Sequence, residues 1–554
     1  MGRTLIGKEK GKSMRDSILT RRGFVKGVSL AGAGTAMLTL AACGGSDSSS
    51  DSSSQEKVLK FGQANAKQGL DMQKSTNSGS SSIADSIVEA PLMWTEDLEL
   101  VPCLLKEVPT AEADGVTYKC ELKEGIKFHD GTTLTSDDVK FSFERMFTPS
   151  TGAKSTYMYD MIKGATAMLN GEATELEGIV IEDDTHFSFV LEYPMANFTK
   201  NLGINYADIF PRKACTEAGD DWGTGTNIIG TGPYKVVEND DTTAVVLERF
   251  DDYHGGTPNL DRIEFTFIDD TNTKMMSFKN GDIDYCDLAP AVYAQYKDDA
   301  DVKDLITQYQ PLGTYFVNLN LNTAALQDVR VRQALSLAIN RQEIVDSIEN
   351  GGAVVASGFL NMNVPGYDKS APAFEYDPEK AKSLLAEAGN PEVNLTCNVR
   401  STGDYQKVMV AIQSYWAEIG VNLTVNTIDS GVWSSDWTAG NLEVTALAWF
   451  PLYADADNQM YTYFYSENAA KKSSFYNSAE FDALVSQARQ SQDEDERAEL
   501  YKQADNLLSR TDYAVLPLFY PKYQFVARPW VVNAKVGNLI YHMNDIDIDN
   551  SKRS

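Results

Sequence analysis

Histidine is scarce: His129, His186, His254 and His542 are the only four in 554 residues. No HExxH, GxSxG or GxxxxGK-Ser/Thr pattern occurs, so zinc-protease, serine-hydrolase and P-loop chemistry lack their usual carriers. His129 lies in the turn-like string KFHDG and reads as a turn residue, not a base or ligand. Six cysteines are present, at 43, 103, 120, 215, 286 and 397, and none forms a C-x-x-C pair, which argues against a zinc site. Five of them follow Cys43, so at least one stays unpaired. Cys103 and Cys120 are near in sequence, which does not establish a bridge. Positive charge is also short: 49 Lys and Arg face 79 Asp and Glu, a net of −30. Residues 1–42 hold eight basic and two acidic side chains, so without them the net charge is −36. Such a surface disfavours nucleic acid and anionic membranes as partners. It suits the solubility of a secreted protein, or a preference for cationic ligands.

What is present is an ordinary globular composition, 42% hydrophobic and 23% charged. The length is too great for one core and implies about three or four domain-sized units.

The first 42 residues read as an address. Thr20–Lys26, TRRGFVK, resembles the twin-arginine export motif, and Met14 is a possible alternative start just before it. The mildly apolar run Val28–Ala42 is too short to span a membrane. Leu40-Ala41-Ala42-Cys43 resembles a lipobox, which implies lipidation of Cys43 and cleavage just before it. Residues 43–57, rich in Ser and Asp, form a flexible tether.

In the body, Val116–Leu122 alternates as a half-buried strand, and Ile126 and Phe128 start a second short one before the Asp130-Gly131 turn. A helix follows, capped by Thr135 with Asp138, apolar at Val139, Phe143, Met146 and Phe147, and stopped before Pro149. The wording GIKFHDGTTLTSDDVKFSFERM resembles the signature of family 5 extracellular solute-binding proteins, which include the oligopeptide- and dipeptide-binding subunits of ABC importers. Three more blocks agree: TEDLELVP at 95–102, GTGPYKV onward from Gly230 to Ile263, and DVRVRQALSLAINRQEIV from Asp328. The glycines around Thr231 read as a turn entering a strand.

Elsewhere the pattern predicts strands at 58–61, 179–191 with a turn at Asp183-Asp184, 265–268, 282–285, 315–322 and 421–425. Helices are expected at 85–92, 275–281, 329–339, after the caps Asn340 and Asp377, at 408–419, and over most of 481–508. Residues 515–527 are extended and apolar.

The resemblance implies an α/β, two-lobed, class II periplasmic-binding-protein-like fold of the Venus-flytrap kind, with an extra subdomain in the first lobe. On that reading residues 58–310 form lobe 1, with the subdomain at about 90–200. Residues 311–514 form lobe 2, and 515–554 return to lobe 1. Pro311 and Pro517 stand in plausible crossing segments.

A ligand is then expected between the lobes. The aromatic-rich stretch from Val432 to Tyr465 is the richest candidate wall, with Trp433, Trp449 and Tyr453 as ligand contacts. Peptide-binding relatives read W-x-x-D-Y-x-D-P-D-N here, and their first aspartate pairs with the peptide's ammonium. This chain has Leu452 at that position. Asp455 and Asp457 read as helix caps, and Arg400 could meet a ligand carboxylate. The expected partners are a peptide or peptide-like solute, an ABC permease, and the membrane through the lipid on Cys43. A monomer without cofactor, metal or catalytic residues is expected. The alternatives are a carrier of a non-peptide solute, such as a metal chelate or haem, or a ligand-presenting sensor.

Overall fold

The computed structural model describes residues 55–65, 69–534 and 543–553. The export motif, Met14, Cys43, most of the tether and His542 therefore lie outside the described residues. Gln55–Lys57, the expected end of the tether, are held by the body. Asn550 Nδ2 donates to the Gln55 carbonyl at 2.6 Å, and the Lys57 N–H donates to Asp261 at 2.8 Å.

Two large sheets carry the two lobes. The first has seven strands in the spatial order Ile306–Tyr309, Tyr523–Ala527, Tyr285–Leu288, Val58–Gln63, Arg262–Phe267, Ala244–Arg249 and Tyr234–Asn239. Val58–Gln63 pairs in parallel on both sides, and its Leu59 and Phe61 are fully buried. The second sheet runs Ala353–Val355, Val515–Pro521, Thr314–Leu319, Val444–Trp449, Asn394–Arg400, Asn422–Ile428. All six residues of Thr314–Leu319 are buried. Helices such as Val329–Leu337 and Tyr405–Glu418 close over this sheet with Val331, Leu335, Ile412 and Trp416 inward. A three-stranded antiparallel sheet, Thr117–Glu121, His186–Val190 and Ile179–Ile181, builds a further layer with helix Ser136–Phe147.

The chain passes between the large sheets twice. Ile306–Tyr309 leads through Pro311 to Thr314–Leu319. The second passage lies at Lys522, between Val515–Pro521 and Tyr523–Ala527, and not at residue 515. Pro517 is inside the second sheet, opposite Phe316, where the register shifts and a missing N–H is tolerated. Gln310 Nε2 donates to the Pro521 carbonyl at 2.9 Å, joining the two passages.

Three local expectations are corrected. Ile126 and Phe128 belong to a tight hairpin turn, in which the Leu134 N–H donates to the Ile126 carbonyl, without a regular strand. The helix expected at 85–92 lies earlier, at Ser78–Ala84, capped by Asn77, whose side chain accepts from the Ser80 N–H. Residues 85–87 run on from this helix as turns, with the Ile87 N–H donating to the Ala84 carbonyl, and meet the Gly230 turn. The Gly232 and Tyr234 N–H groups donate to the Ile87 and Ser86 carbonyls. A Cβ at Gly230 would stand 2.0 Å from the Ile87 oxygen, so this approach needs glycine. The strand expected at 282–285 begins only at Tyr285. All five described cysteines are buried free thiols, so Cys103 and Cys120 are not bridged. Among the described residues no helix is long and apolar enough to cross a membrane.

Candidate ligand cleft

The two lobes face each other across a cavity of about 410 Å³. The first half of the chain supplies the start of helix Ser78–Ala84 and the segments around Tyr157 and Ile204. The second lobe supplies Trp437, Trp449, Phe450 and Leu452. Trp449 ends the strand Val444–Trp449, so the sheet edge delivers the aromatic run to the opening. Phe450 is seated on Gly313 in the first crossing; a Cβ there would stand 2.2 Å from its ring. Phe450 also stacks on Tyr523 of the second crossing at 5.5 Å.

A second chamber, about 350 Å³, lies beyond that stack. Ser78 and Tyr523 are in its wall, with Asp287, Glu349, Lys522 and Gln524. Asp287 is held by Lys274 at 2.6 Å. Glu349 is 5% exposed, and burial, with the nearby Asp404 charge, pushes its carboxyl up to about 7.

The five expected contact residues separate. Trp449 and Leu452 line the first chamber. Trp449 donates its indole N–H to Asn458 Oδ1 at 3.2 Å and meets Tyr463 edge-on at 4.9 Å, so its ring is fixed. Trp433 is 3% exposed, lines neither chamber, and spends its N–H on Thr445 Oγ1 at 2.9 Å. It stacks at 5.1 Å on Trp437, which does reach the cavity. Arg400 lies one aromatic layer further back, its guanidinium 4.5 Å from the Trp433 ring centre and 5.0 Å from that of Tyr405. Tyr453 is buried at the contact with the N-terminal half. It stacks on Trp94 at 6.0 Å, and its hydroxyl accepts from Asn197 Nδ2 at 3.1 Å.

Asp455 accepts the Asp457 N–H at 2.9 Å, close to the expected capping role. It also pairs with Arg497 at 2.6 Å and with Lys200 at 2.8 Å. These cations hold its carboxyl below the usual range against the opposing effect of burial. Asp457 departs from a cap: it starts helix Asp457–Phe464 and accepts from Asn197, Tyr501 and Arg489.

Among the described residues, Lys154 is the one charged residue in the wall of the first chamber, and no acid is there. The two acids nearest in sequence turn elsewhere: Glu443 accepts the Thr396 N–H, and Asp436 accepts from Asn441. Lys154, Tyr157 and Ile204 come from loops with no sequence signal, whereas Trp437 belongs to the aromatic stretch already noted. The described histidines all lie outside the two chambers. His129 accepts the Gly230 N–H on Nδ1 and donates from Nε2 to the Gly232 carbonyl, and burial lowers its pKa to about 4.

The model of the bacterial extracellular solute-binding proteins, family 5 (middle region), matches residues 99–471. The dipeptide-binding protein of Escherichia coli K12 is 28% identical over 430 residues, covering 73% of this chain and 78% of that protein. Heme-binding protein A of Haemophilus influenzae is 28% identical over 501 residues, covering 85% and 89%. Among solved structures, the periplasmic binding protein DppA of Helicobacter pylori, in complex with the peptide STSA, superimposes with a TM-score of 0.76 at 24% identity, covering 89% of this chain and 98% of that one. The murein tripeptide binding protein MppA of Escherichia coli gives 0.77 at 21%, covering 89% and 99%. Those two likenesses carry the fold, a two-lobed α/β body.

Proposed function

Because the chain belongs to the bacterial extracellular solute-binding proteins of family 5, we propose that it captures a peptide or peptide-like solute between its lobes and passes it to an ABC-transporter permease. On this reading it is exported and held at the membrane by lipid on Cys43. The observation that carries the capture step is the interlobe cavity, walled by Trp437, Trp449, Phe450 and Leu452. Its volume and lining match a site that grips a small ligand by apolar contact plus a few polar groups. The names of the relatives, for dipeptides, oligopeptides and haem, support the class of solute without choosing within it.

Leu452 narrows the choice. A buried ammonium without a counter-charge costs several kcal/mol. Among the described residues, the first chamber has an apolar residue at 452, no acid in its wall, and Lys154 in it. The solute group placed beside Leu452 therefore lacks a free amine, as in a blocked or cyclic peptide. Calorimetry with matched tripeptides, free and N-acetylated, tests this. Wild type should favour the acetylated form, and Leu452→Asp should shift preference toward the free amine by about tenfold, or 1.4 kcal/mol. A wild-type preference of that size for the free amine would sink the reading. Mass spectrometry of solute carried through a gentle purification tests the wider assignment; a porphyrin or metal chelate would replace the peptide.

A further inference from the structure

Away from the cleft, several segments of the first lobe meet at a hollow of about 60 Å³. Glu89, Cys103 and Asp208 are in its wall, and His254 reaches Glu89 with Nε2 2.8 Å from Oε2. One carboxylate oxygen of Glu89, the Cys103 sulfur and a ring nitrogen of His254 all lie within 4.8 Å of one another. Glu89 and Cys103 are buried, and the His254 side chain is 13% exposed.

Hydrogen bonding alone accounts for only part of this cluster. Glu89 accepts from Thr231 Oγ1 at 2.7 Å, Tyr253 OH at 2.9 Å and His254, which satisfies the carboxylate and the imidazole. Cys103 has one weak bond, its S–H donating to Glu89 Oε1 at 3.4 Å. Asp208 is 2% exposed, and its Oδ2 has no hydrogen-bond partner among the described residues. An unpartnered buried carboxyl oxygen is costly to keep.

We propose that Glu89, Cys103 and His254 form a binding site for one divalent, borderline-soft metal ion, with Zn(II) the best match and Asp208 as the nearby acid of the same hollow. A mixed S, N and O set is a known zinc preference, with bonds of about 2.0–2.3 Å, and the three donor atoms would draw together to make them. The cation takes the place of the Glu89–His254 hydrogen bond and of the thiol proton. Metal–sulfur, metal–nitrogen and metal–oxygen bonds form, no group changes oxidation state, the imidazole binds as the neutral tautomer with its one proton on the other ring nitrogen, and the proton of Cys103 passes to solvent. Local spacing hides such a site, because Glu89 and His254 are 165 residues apart.

The test uses the purified mature protein after dialysis against a chelator. Co(II) is added as the probe, and the thiolate-to-cobalt charge-transfer band in the near ultraviolet is read. Zn(II) is then added in competition, and bound zinc per chain is measured by plasma mass spectrometry. The site predicts a saturable band, its loss on adding zinc, and one zinc per chain. It also predicts release of protons on binding, seen as a dependence of the calorimetric heat on the buffer. Cys103→Ser should abolish the band, and His254→Gln should weaken zinc binding at least about tenfold, or 1.4 kcal/mol. Far-ultraviolet circular dichroism of each variant checks that the lobe still folds, and the wild-type readings stand without any variant. Absence of the band, zinc well below one per chain, or a band unchanged in Cys103→Ser would overturn the proposal.

Discussion

Glu349 is an acid held in a chamber wall with no ion pair among the described residues, and its proton is coupled to folding. The unfolded chain releases that proton near 4.5, the folded chain near 7. Below the lower value both states hold it and there is no difference. Between the two, only the unfolded chain is ionised, so stability falls as pH rises, by about 3 kcal/mol once pH 7 is passed. Glu349→Gln removes this penalty. Its melting temperature should exceed that of wild type at pH 8 and match it near pH 4; a gap that is flat with pH would refute the argument. His129 works in the opposite sense. Its folded pKa is lowered to about 4 from 6.5, so its contribution is present above 6.5 and is lost as pH falls through that window. In the cleft, Trp449→Ala should weaken solute binding by about 1–3 kcal/mol in calorimetry, as loss of a fixed aromatic anchor does. Trp449 and Leu452 were legible in the sequence as residues of the cavity wall. Trp433 and Tyr453 were not separable from them, because aromatic spacing is the same for a ring that faces the core and one that faces a ligand. The layer that sets Arg400 back, behind Trp433 and Trp437, is a product of tertiary packing.

Elements whose signals are local are the ones the sequence shows best. Helix Ser136–Phe147 starts at Thr135, whose N–H and hydroxyl both donate to Asp138 Oδ2 at 3.0 Å. Asp138 Oδ1 also accepts the Arg212 N–H at 2.9 Å, so one carboxylate caps this helix and anchors the next. Thr135→Ala should therefore cost about 1 kcal/mol and Asp138→Ala about 2 kcal/mol in urea denaturation. Equal costs would mean the link to Arg212 contributes nothing. Asn340 and Asp377 cap their helices on the same local logic. Residues 85–92 misled for the converse reason. Their apolar run is helix-like, but their carbonyls are taken by the distant Gly230 turn, and that approach is visible only once Gly230 and Gly232 are seen against Ile87. The second passage was likewise misplaced by a few residues, since an apolar extended run from 515 to 527 carries no mark of the sheet change at Lys522.

At the scale of the molecule, the lobes are joined by the two short passages and by a polar contact on the far side of the first chamber. There Lys200, from the N-terminal half, reaches Asp455 of the second lobe at 2.8 Å and Glu494 at 2.9 Å. Asn197 beside it donates to Asp457 at 2.8 Å, and the Ala196 N–H donates to the Arg489 carbonyl. Opening the cleft about the passages would pull these groups apart, so these contacts are expected to hold the lobes together. Arg497 stays on Asp455 at 2.6 Å from within the second lobe. Removal of Lys200 therefore leaves that carboxylate paired, and the second lobe should stay folded. Lys200 and Asp455 are largely withdrawn from solvent, so their contact is worth more than a surface pair, about 1–2 kcal/mol. That is enough to move a closed-favoured equilibrium several-fold toward open. Small-angle scattering should give solute-free Lys200→Ala a larger radius of gyration than solute-free wild type. With saturating solute the two curves should coincide, because solute contacts then hold the lobes together. Superimposable solute-free curves would show that the contact at Lys200 does not govern closure.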